Sequence, residues 1–332
     1  MAPAMSSLGG FWSGFWALQD AAEWIPFSAF LGGLVAFNRS DWSRNIHESL
    51  WSLSLPREKL AEAMATRTGA FGLYLYFGLY LSFAIIDAFQ APQWIVRHKV
   101  QNTKQPPPFR KSLRAIFWGM VESIPVLTIF NTFVVNPVWR QRIGMEKLMS
   151  IPSTWQCVSE LVALQILNEL IFYTVHRSMH TKLLYKLVHK MHHENITPFA
   201  SSGNYAHPLE TLLSTGLIVG IPIMLVVPHP SVLWFYTSWR NVESATAHCG
   251  YYIPGLCANT LFHDWHHRAF DGNYGFSPNL DYIFGTIHPK YPAWLANYRQ
   301  ERSQKVAAEE NHDSMADLVD PYEESTDVKR EI

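Results

Sequence analysis

The chain has 332 residues, of which 48% are hydrophobic and only 16% are charged, and its 26 basic and 27 acidic residues nearly cancel. This composition is too apolar for an ordinary soluble enzyme, and the balanced charge gives no reason to expect a nucleic acid partner. The three cysteines lie outside any Cys-x-x-Cys spacing and are expected to be reduced packing residues. The composition therefore favours a membrane protein.

The N-terminal region, residues 1–67, has no basic segment ahead of a hydrophobic one, so no cleavable signal peptide is expected. Its uncharged stretch from Trp24 to Asn38 has 15 residues. One membrane crossing needs ~20 apolar residues. Two interpretations therefore stay open for this stretch: a short membrane helix, or a helix that lies along the membrane surface.

A membrane domain is predicted for residues 68–300, because several of its segments are apolar and long enough to cross a bilayer. These segments are residues 68–86, 115–139, 155–175 and 211–239. The last is longer than one crossing and is broken by Pro228-His229-Pro230, which predicts a helical hairpin with its turn at the prolines. The sequence thus predicts an all-α integral membrane protein with about four transmembrane helices in two hairpins.

Acidic residues inside the third segment need an explanation, because charges are uncommon within a membrane span. Glu160 and Glu169 are expected either to point toward the interior of the bundle or to lie near the membrane interface. The sequence does not separate these two alternatives.

The loops predict the orientation of the chain. Six basic residues and no acidic ones lie between Asp87 and Glu122: Arg97, Lys99, Lys104, Arg110, Lys111 and Arg114. The loop after Trp139 carries fewer basic residues, and one of its residues, Glu146, is acidic. The positive-inside rule therefore places the first loop in the cytosol, and counting crossings from there places the later histidines on the cytosolic side.

Histidines are the strongest chemical signal, since eleven of them lie within the 92 residues from His176 to His267. Eight form three short clusters: His176-Arg-Ser-Met-His180, His189-Lys-Met-His192-His193 and His263-Asp-Trp-His266-His267. Side chains one helical turn apart share a face, so each cluster can direct imidazoles at one point. One zinc site takes three or four protein ligands. The larger number here favours two neighbouring metals, and an all-nitrogen shell with open positions is compatible with iron that activates dioxygen.

Two further histidines flank the predicted hairpin. His207 precedes it and His248 follows it, so both are expected to join the clusters at one membrane face, while His229 at the turn is left out. The tail, residues 301–332, is acid-rich and predicted to be disordered. Its last four residues, Lys329-Arg330-Glu331-Ile332, resemble a dibasic retrieval signal for the endoplasmic reticulum but lack the strict lysine pair.

The motifs together resemble the fatty acid hydroxylase and sterol desaturase superfamily over roughly residues 115–290. The resemblance rests on the three clusters and on four further motifs in the same order: Asn204-Tyr-Ala-His207-Pro-Leu-Glu210, His248-Cys-Gly-Tyr251, Gly272-Asn273-Tyr274-Gly275 and Leu280-Asp281-Tyr282 leading to Thr286. Within the superfamily, the first of these motifs and Val242-Glu243 leading to His248-Cys-Gly-Tyr-Tyr-Ile-Pro254 most resemble the C-4 methylsterol oxidases.

This resemblance implies a non-haem di-iron enzyme with a cytosolic, histidine-rich helical cap over the membrane helices. The ligands that it implies are His176, His180, His189, His192, His193, His248, His263, His266 and His267, with His207 at a position that the family also fills by histidine. The fatty-acid branch has one more histidine where this chain has Ser244. Asp264 and Asn273 are expected either to orient ligands through hydrogen bonds or to cap local turns.

The implied activity is monooxygenation of a sterol-like lipid, most similar to oxidation of a C-4 methyl group. Two ferrous ions would activate O2 and remove hydrogen from an unactivated C–H bond. The chain has neither a Gly-x-Gly-x-x-Gly fingerprint nor a haem-binding His-Pro-Gly-Gly. Electrons from NAD(P)H must then arrive through another protein, by family analogy cytochrome b5 and its reductase. Other sterol-pathway enzymes are possible partners, and a multi-pass location in the endoplasmic reticulum membrane is expected.

Several alternatives stay open. A sterol desaturase, a side-chain sterol hydroxylase and an oxidase of another hydrophobic metabolite would all use the same histidine shell. A histidine-lined metal transporter is less consistent with the sequence, because a transport route places ionisable residues along the spans rather than at one end. An inactive structural relative is less consistent with the intact clusters.

Overall fold

The computed structural model describes residues 24–52, 56–101, 104–257 and 259–316. These residues form helices, turns and loops, and their only β-type pairing is an isolated antiparallel bridge between Lys99 and Tyr251. The prediction of an all-α protein is therefore confirmed. The longer helices, numbered in chain order, are α1 (Trp24–Arg39), α2 (Asp41–Ser52), α3 (Arg57–Phe89), α4 (Phe109–Arg142), α5 (Thr154–Met179), α6 (Pro208–Val226), α7 (Pro230–His248), α8 (Thr260–Ala269), α9 (Pro278–Ile283) and α10 (Tyr291–Ala316).

Shorter helical segments connect these helices. They are Gln93–Val96, Met145–Met149, Lys182–Leu184 with the π-helical turn Tyr185–His189, and the 3-10 turns His192–Glu194 and Ala200–Asn204. The last three lie between α5 and α6, where the sequence contains one of the histidine clusters.

Four helices are long and apolar enough to cross a membrane: Glu58–Phe89, Phe109–Arg142, Thr154–Met179 and Pro208–Val226. They contain the predicted segments 68–86, 115–139 and 155–175 and the first half of 211–239. Large apolar side chains such as Tyr74, Phe133 and Ile166 are more than half exposed on these helices. Such exposure is unfavourable in water and ordinary in lipid, which agrees with a membrane-spanning role.

Helix α4 stays continuous although Pro125 and Pro137 lie inside it. Proline removes one backbone hydrogen bond, and its ring clashes with the carbonyl group four residues earlier. In both cases that earlier residue belongs to a wider π-helical turn, Gly119–Ser123 or Asn131–Val135. The π turns accommodate the prolines, so the helix keeps the length that a membrane crossing needs.

The predicted hairpin turn at Pro228-His229-Pro230 is confirmed, since α6 ends at Val226 and α7 begins at Pro230. The returning helix α7 is not among the helices apolar enough to span a membrane, and its polar residues include a buried ion pair between Arg240 and Glu243. It packs instead against α3, α5 and α1. At ~1.5 Å per residue, its 19 residues bring the chain back to the end of the bundle where α6 began.

The two acidic residues of α5 point into the bundle, as the first of the two alternatives predicted. The Glu160 carboxylate contacts Lys147 Nζ and accepts from the His229 backbone N–H, each at 2.7 Å. The Glu169 carboxylate accepts from the Ser277 hydroxyl at 2.8 Å. Each buried carboxylate therefore has partners, as a low-dielectric interior requires.

The N-terminal helix α1 covers the stretch for which two interpretations were open. Its Phe27 and Phe30 rings lie 5.6 and 5.3 Å from the Trp239 ring of α7, and Leu34 is fully buried. The helix is thus packed against the bundle along its apolar side. Residues 1–23 lie outside the described part of the chain.

The chain divides into two units, Met1–His288 and Pro289–Ile332. All candidate site residues lie in the first. In the second, α10 extends to Ala316, so residues 301–316 of the tail predicted to be disordered are helical. This part is rich in Ala and Glu, which favour helix. The rest of the predicted tail, including its last four residues, lies outside the described residues.

Candidate metal centre

Several elements deliver histidines to one end of the bundle. His176 lies in the last turn of α5, with His180 directly after the helix. The segment that follows contributes His189, His192 and His193, the last residue of α7 is His248, and α8 carries His263, His266 and His267. Eight of these side chains are at most 7% exposed, and His180 is half-buried.

Five histidines form the first group, here called the five-histidine group: His176, His180, His189, His193 and His266. Four of their Nε2 atoms form a closed ring. The successive Nε2–Nε2 distances are 3.0 Å from His180 to His189, 3.0 Å from His189 to His193, 3.2 Å from His193 to His266 and 3.1 Å from His266 to His180.

Four histidines form the second group, here called the four-histidine group: His192, His248, His263 and His267. Their Nε2 atoms lie 3.4 Å apart for His192 and His248, 2.9 Å for His248 and His263, and 3.2 Å for His263 and His267. In each group all the candidate ligand atoms lie within 4.8 Å of one another.

The two groups adjoin each other. His192 and His193 are consecutive in the chain but belong to different groups, and the His193 and His267 rings lie 4.7 Å apart. Helix α8 likewise gives His266 to one group and His263 to the other. The arrangement therefore offers two metal positions side by side.

The outer ring nitrogens indicate where the protons lie. His176 Nδ1 lies 2.7 Å from the Tyr274 carbonyl oxygen, His266 Nδ1 lies 2.9 Å from that of Gly272, and His189 Nδ1 lies 2.7 Å from Glu210 Oε1. The two carbonyl oxygens only accept, and so does the Glu210 carboxylate when it is ionised, so each Nδ1 then carries the proton and each Nε2 presents a lone pair. Three lone pairs thus converge within the five-histidine group, which is unfavourable unless a cation lies between them.

The spacing of the nitrogens also fits a metal. A metal–nitrogen bond of ~2.1 Å with right angles between neighbouring bonds places adjacent ligand nitrogens about 3 Å apart. The Nε2 spacings of the two groups lie close to this value. Imidazole suits iron, zinc, copper and nickel, so the donor set fits a metal of this class without selecting one.

Burial keeps these imidazoles neutral. It lowers the pKa of His180 to about 2, with a further contribution from the neighbouring His176, and the pKa of His248 to about 4. Burial and the surrounding histidines lower the pKa values of His263 and His267 well below their usual range. The imidazoles are therefore uncharged at neutral pH, so each ring has one nitrogen without a proton, as metal binding requires.

His207 does not join either group. Its side chain is exposed, and its Nδ1 accepts from the Leu209 backbone N–H at 3.2 Å, which caps the start of α6. His229 also lies outside both groups, at the start of α7. The motif match at His207 thus corresponds to a helix cap in this structure.

Asp264 is buried beside the centre, but its partner is Gln101 rather than a histidine. Both carboxylate oxygens accept from Gln101 Nε2, each at 3.1 Å, and the Gln101 amide oxygen accepts from the Thr197 hydroxyl. Burial raises the pKa of Asp264 to about 6, although Gln101 opposes this shift. Asp264 therefore connects α8 to two loops. One contains Thr197, and the other is the loop with six basic residues between Asp87 and Glu122, here called the basic loop.

Asn273 lies in the loop that supplies two carbonyl acceptors to the histidines. Its backbone is left-handed with φ 56°, and its amide oxygen accepts from the His288 backbone N–H at 2.9 Å. Its neighbours Gly272 and Tyr274 provide the carbonyls that hold His266 and His176. Asn273 thus helps to fix the loop whose carbonyl groups contact His266 and His176.

Two carboxylates of the site were not predicted from the sequence. Glu210 contacts His189, and Asp281 accepts from the Tyr274 backbone N–H at 2.8 Å and the Thr286 hydroxyl at 2.6 Å. Burial raises the pKa of Asp281 to about 6, and its three hydrogen-bond donors oppose the shift. Both residues lie in motifs of the resemblance, which is the signal that could have identified them.

Comparison with known proteins gives a family-model match and similar curated proteins. The model for fatty acid hydroxylase matches residues 161–286. A fatty acid hydroxylase of Mycosarcoma maydis is 32% identical over 64% of this chain and 55% of its own length. A very-long-chain aldehyde decarbonylase of Oryza sativa subsp. indica is 34% identical over 57% of this chain and 74% of its own length.

A methylsterol monooxygenase of Arabidopsis thaliana is 40% identical over 45% of this chain and 60% of its own length. The chain thus spans little more than half of some of these relatives. No solved structure matches the chain.

Proposed function

Because this chain belongs to the fatty acid hydroxylase family, we propose that it is a membrane-bound non-haem di-iron monooxygenase that oxidises a C–H bond of a sterol-like lipid. The proposed substrate is a methylsterol, oxidised at a C-4 methyl group. The observation that carries the proposal is the convergence of nine imidazoles into two adjacent groups at one end of a helical membrane bundle. Two redox-active metal ions held side by side need such a donor set.

Two observations support a methylsterol as the substrate. Two relatives of Arabidopsis thaliana that are 40% and 39% identical to this chain are named methylsterol monooxygenases. In addition, Ser244 replaces the extra histidine of the fatty-acid branch, and its hydroxyl lies 3.4 Å from the Tyr80 hydroxyl. A lipid substrate would reach the histidine end from the bilayer, between the apolar spans.

In this proposal the five-histidine group holds one iron ion and the four-histidine group holds the other. When bound and reduced, iron supplies the activation of dioxygen and the removal of hydrogen from an unactivated C–H bond. The chain's residues supply unprotonated Nε2 atoms, Nδ1 partners that fix the rings, and burial that excludes bulk water from the ligands. One oxygen atom enters the substrate and the other leaves as water, with two electrons and two protons taken up.

We further propose that electrons come from NAD(P)H through cytochrome b5 and its reductase, at the cytosolic face of the endoplasmic reticulum. The basic loop supports this orientation, because it lies at the histidine end of the bundle. Gln101 donates to Asp264, and the Val100 backbone N–H donates to the Gly250 carbonyl oxygen at 2.9 Å. The positive-inside rule then favours a cytosolic location for this end.

Oxidation of a long-chain acyl or aldehyde carbon is a second candidate. It is supported by the very-long-chain aldehyde decarbonylase of Oryza sativa subsp. indica, since this chain is 34% identical to it over 74% of that relative's length. The histidine groups would serve either substrate.

Turnover by the purified full chain tests the proposal. The protein is supplied with ferrous iron, cytochrome b5, its reductase, NADPH and dioxygen. Separate reactions contain a C-4 methylsterol, the same sterol without C-4 methyl groups, a very-long-chain aldehyde or a fatty acid. We expect mass spectrometry to detect a C-4 hydroxymethyl or carboxylate product from the methylsterol and no product from its demethylated counterpart.

A His192→Ala variant is the matched control, because it should remain inserted in the membrane but bind less iron and produce nothing. A product only from the fatty acid or the aldehyde would replace the methylsterol by the second candidate. An iron-loaded chain that oxidises none of these substrates would overturn both.

A further inference from the structure

Glu210 contacts the outer nitrogen of His189 through a side-chain carboxylate. The outer nitrogens of His176, His248 and His266 each end on a backbone carbonyl oxygen. His189 Nδ1 instead lies 2.7 Å from the Glu210 carboxylate, which is 3% exposed. The contact joins the start of α6 to the π-helical turn Tyr185–His189, whose last residue is the first histidine of the second cluster.

In the described part of the chain, the close polar contact of this carboxylate is with the neutral imidazole of His189, which does not balance a negative charge. The other oxygen, Oε2, is buried without a hydrogen-bond partner among the described residues. A buried carboxylate with so little compensation is costly unless a positive charge lies close by. A lysine or arginine would be the usual partner, but here the neighbouring groups are the candidate metal-ligating histidines, and the positive charge would come from the metal that they bind.

The nine imidazoles, in turn, leave the positive charge of bound metal ions without a negative partner. Neutral imidazole brings no negative charge, so two divalent ions would carry their full charge into a buried site. A carboxylate that accepts from the outer nitrogen of a ligand transfers negative charge toward the metal and fixes the ring orientation. Glu210 is in direct contact with one ligand of the five-histidine group and with none of the four-histidine group.

We infer that Glu210 is a positioning residue and the counter-charge of the five-histidine group, and that it makes this group the tighter of the two metal positions. The inference rests on the proposed function to the extent that metal binds at both groups. The inference adds a difference in metal affinity between the two groups. Among the described residues, a carboxylate contacts an outer nitrogen of the five-histidine group, and no such contact is found in the four-histidine group.

Glu122 provides a matched comparison on the neighbouring span. It is buried, and its Oε2 accepts from the Ser123 hydroxyl at 2.7 Å and the Thr211 hydroxyl at 3.3 Å. Its hydrogen bonds involve no histidine. Replacing either glutamate by glutamine keeps the size of the side chain and removes one buried charge, so the two variants differ in their relation to the metal centre.

Cobalt binding to the full chain tests the inference without turnover. The purified protein is stripped of metal in detergent and titrated with Co²⁺ against a competing chelator, and the visible cobalt absorption is recorded. We expect two binding steps in the unaltered chain. In Glu210→Gln, affinity at one step should fall by ~10–100-fold and its absorption band should shift, with the other step unchanged. Glu122→Gln removes a negative charge that lies near Glu210, so it should not lower the affinity at either step.

Glu210→Asp separates charge from shape, because it keeps the carboxylate on a shorter side chain. It should recover part of the affinity that Glu210→Gln loses, and equal losses in both would overturn the counter-charge role. Unaltered binding and spectra in Glu210→Gln would overturn the inference as a whole. Failure of the unaltered chain to bind Co²⁺ would instead contradict the metal centre of the proposed function. Gel filtration and circular dichroism verify that each variant is folded.

Discussion

The five-histidine and four-histidine groups lie side by side but are supported differently. The first is held by the Gly272 and Tyr274 carbonyls and by the Glu210 carboxylate. In the second, His248 Nδ1 lies 2.9 Å from the Ser244 carbonyl oxygen. Among the described residues no Nδ1 partner is found for His192 and His267 of the second group, or for His193 of the first. The comparison teaches that similar ligand sets can differ in rigidity, because the partners of the outer nitrogens fix the rings.

Close packing adds to the hydrogen bond of His248 in the four-histidine group. Gly203 lies directly against the His248 ring, where an added Cβ atom would be 2.8 Å from Nδ1. We therefore expect the five-histidine group to depend on its loop and its carboxylate, and the four-histidine group to depend on the fit of its neighbours. The following experiments test this difference, from the largest expected effect to the smallest.

Acid should disrupt both groups. In the unfolded chain histidine binds a proton near its ordinary pKa of ~6.5, whereas folding lowers the pKa of His248 to about 4 and that of His180 to about 2. The free energy of unfolding of the metal-free protein should therefore fall as the pH drops below ~6.5, by up to ~1.4 kcal/mol per pH unit for each such histidine. Unfolding curves across a pH series measure this loss.

Two buried carboxyls act in the opposite direction. Burial raises the pKa values of Asp264 and Asp281 to about 6, so their contribution favours the fold at low pH and is lost as the pH rises toward 6. The histidines are more numerous and should dominate. A stability that increased steadily from neutral pH to ~5 would contradict this balance.

Removing one ligand from each group should remove one metal from each. His189→Ala should eliminate binding at the five-histidine group and His192→Ala at the four-histidine group, with turnover reduced more than ~100-fold in both. Elemental analysis should find about half the metal of the unaltered chain. His207→Ala is the control, because this exposed side chain lies outside both groups. Loss of metal in that variant would return His207 to the ligand set.

Gly203→Ala should weaken the four-histidine group alone. The new methyl group would lie too close to the His248 ring, which must turn away from its position. We expect cobalt affinity at this group to fall by ~10-fold, with little change at the other. Gly78→Ala is the control, since a Cβ atom there meets nothing within 4 Å. Equal weakening of both groups would show that they do not respond separately.

Asp281→Asn should weaken the five-histidine group, but less. The asparagine side chain has one acceptor oxygen where Asp281 now serves the Tyr274 N–H, the Gly275 N–H and the Thr286 hydroxyl. The loop that holds His176 and His266 should loosen, at a cost of ~1–3 kcal/mol in unfolding free energy. Thermal unfolding and cobalt titration measure the two effects, and a stable loop with unaltered cobalt binding would remove Asp281 from this role.

The sequence predicted the membrane segments and the clusters because both are local patterns. A run of apolar residues or a His-x-x-His-His spacing is complete within one stretch of chain, as in residues 115–139 or His189 to His193. The turn of the α6–α7 hairpin was equally local, since proline determines where a helix can begin.

The division of the ligands could not be predicted in the same way. Adjacent residues His192 and His193 belong to different groups, and one helix, α8, serves both. The pairing of Asp264 with Gln101 joins residues 163 positions apart. His207 lies at a position that the family fills by histidine, but in this structure its side chain caps the start of α6.

The amino-acid sequence by itself determined that this chain would bury helices in a membrane and gather many imidazoles at one end, because hydrophobicity and spacing are properties of single segments. Only the tertiary structure decided which imidazoles share a metal position and that Glu210 lies behind one of them. Those relations depend on distances between side chains from separate helices, and such distances exist only after the helices have packed.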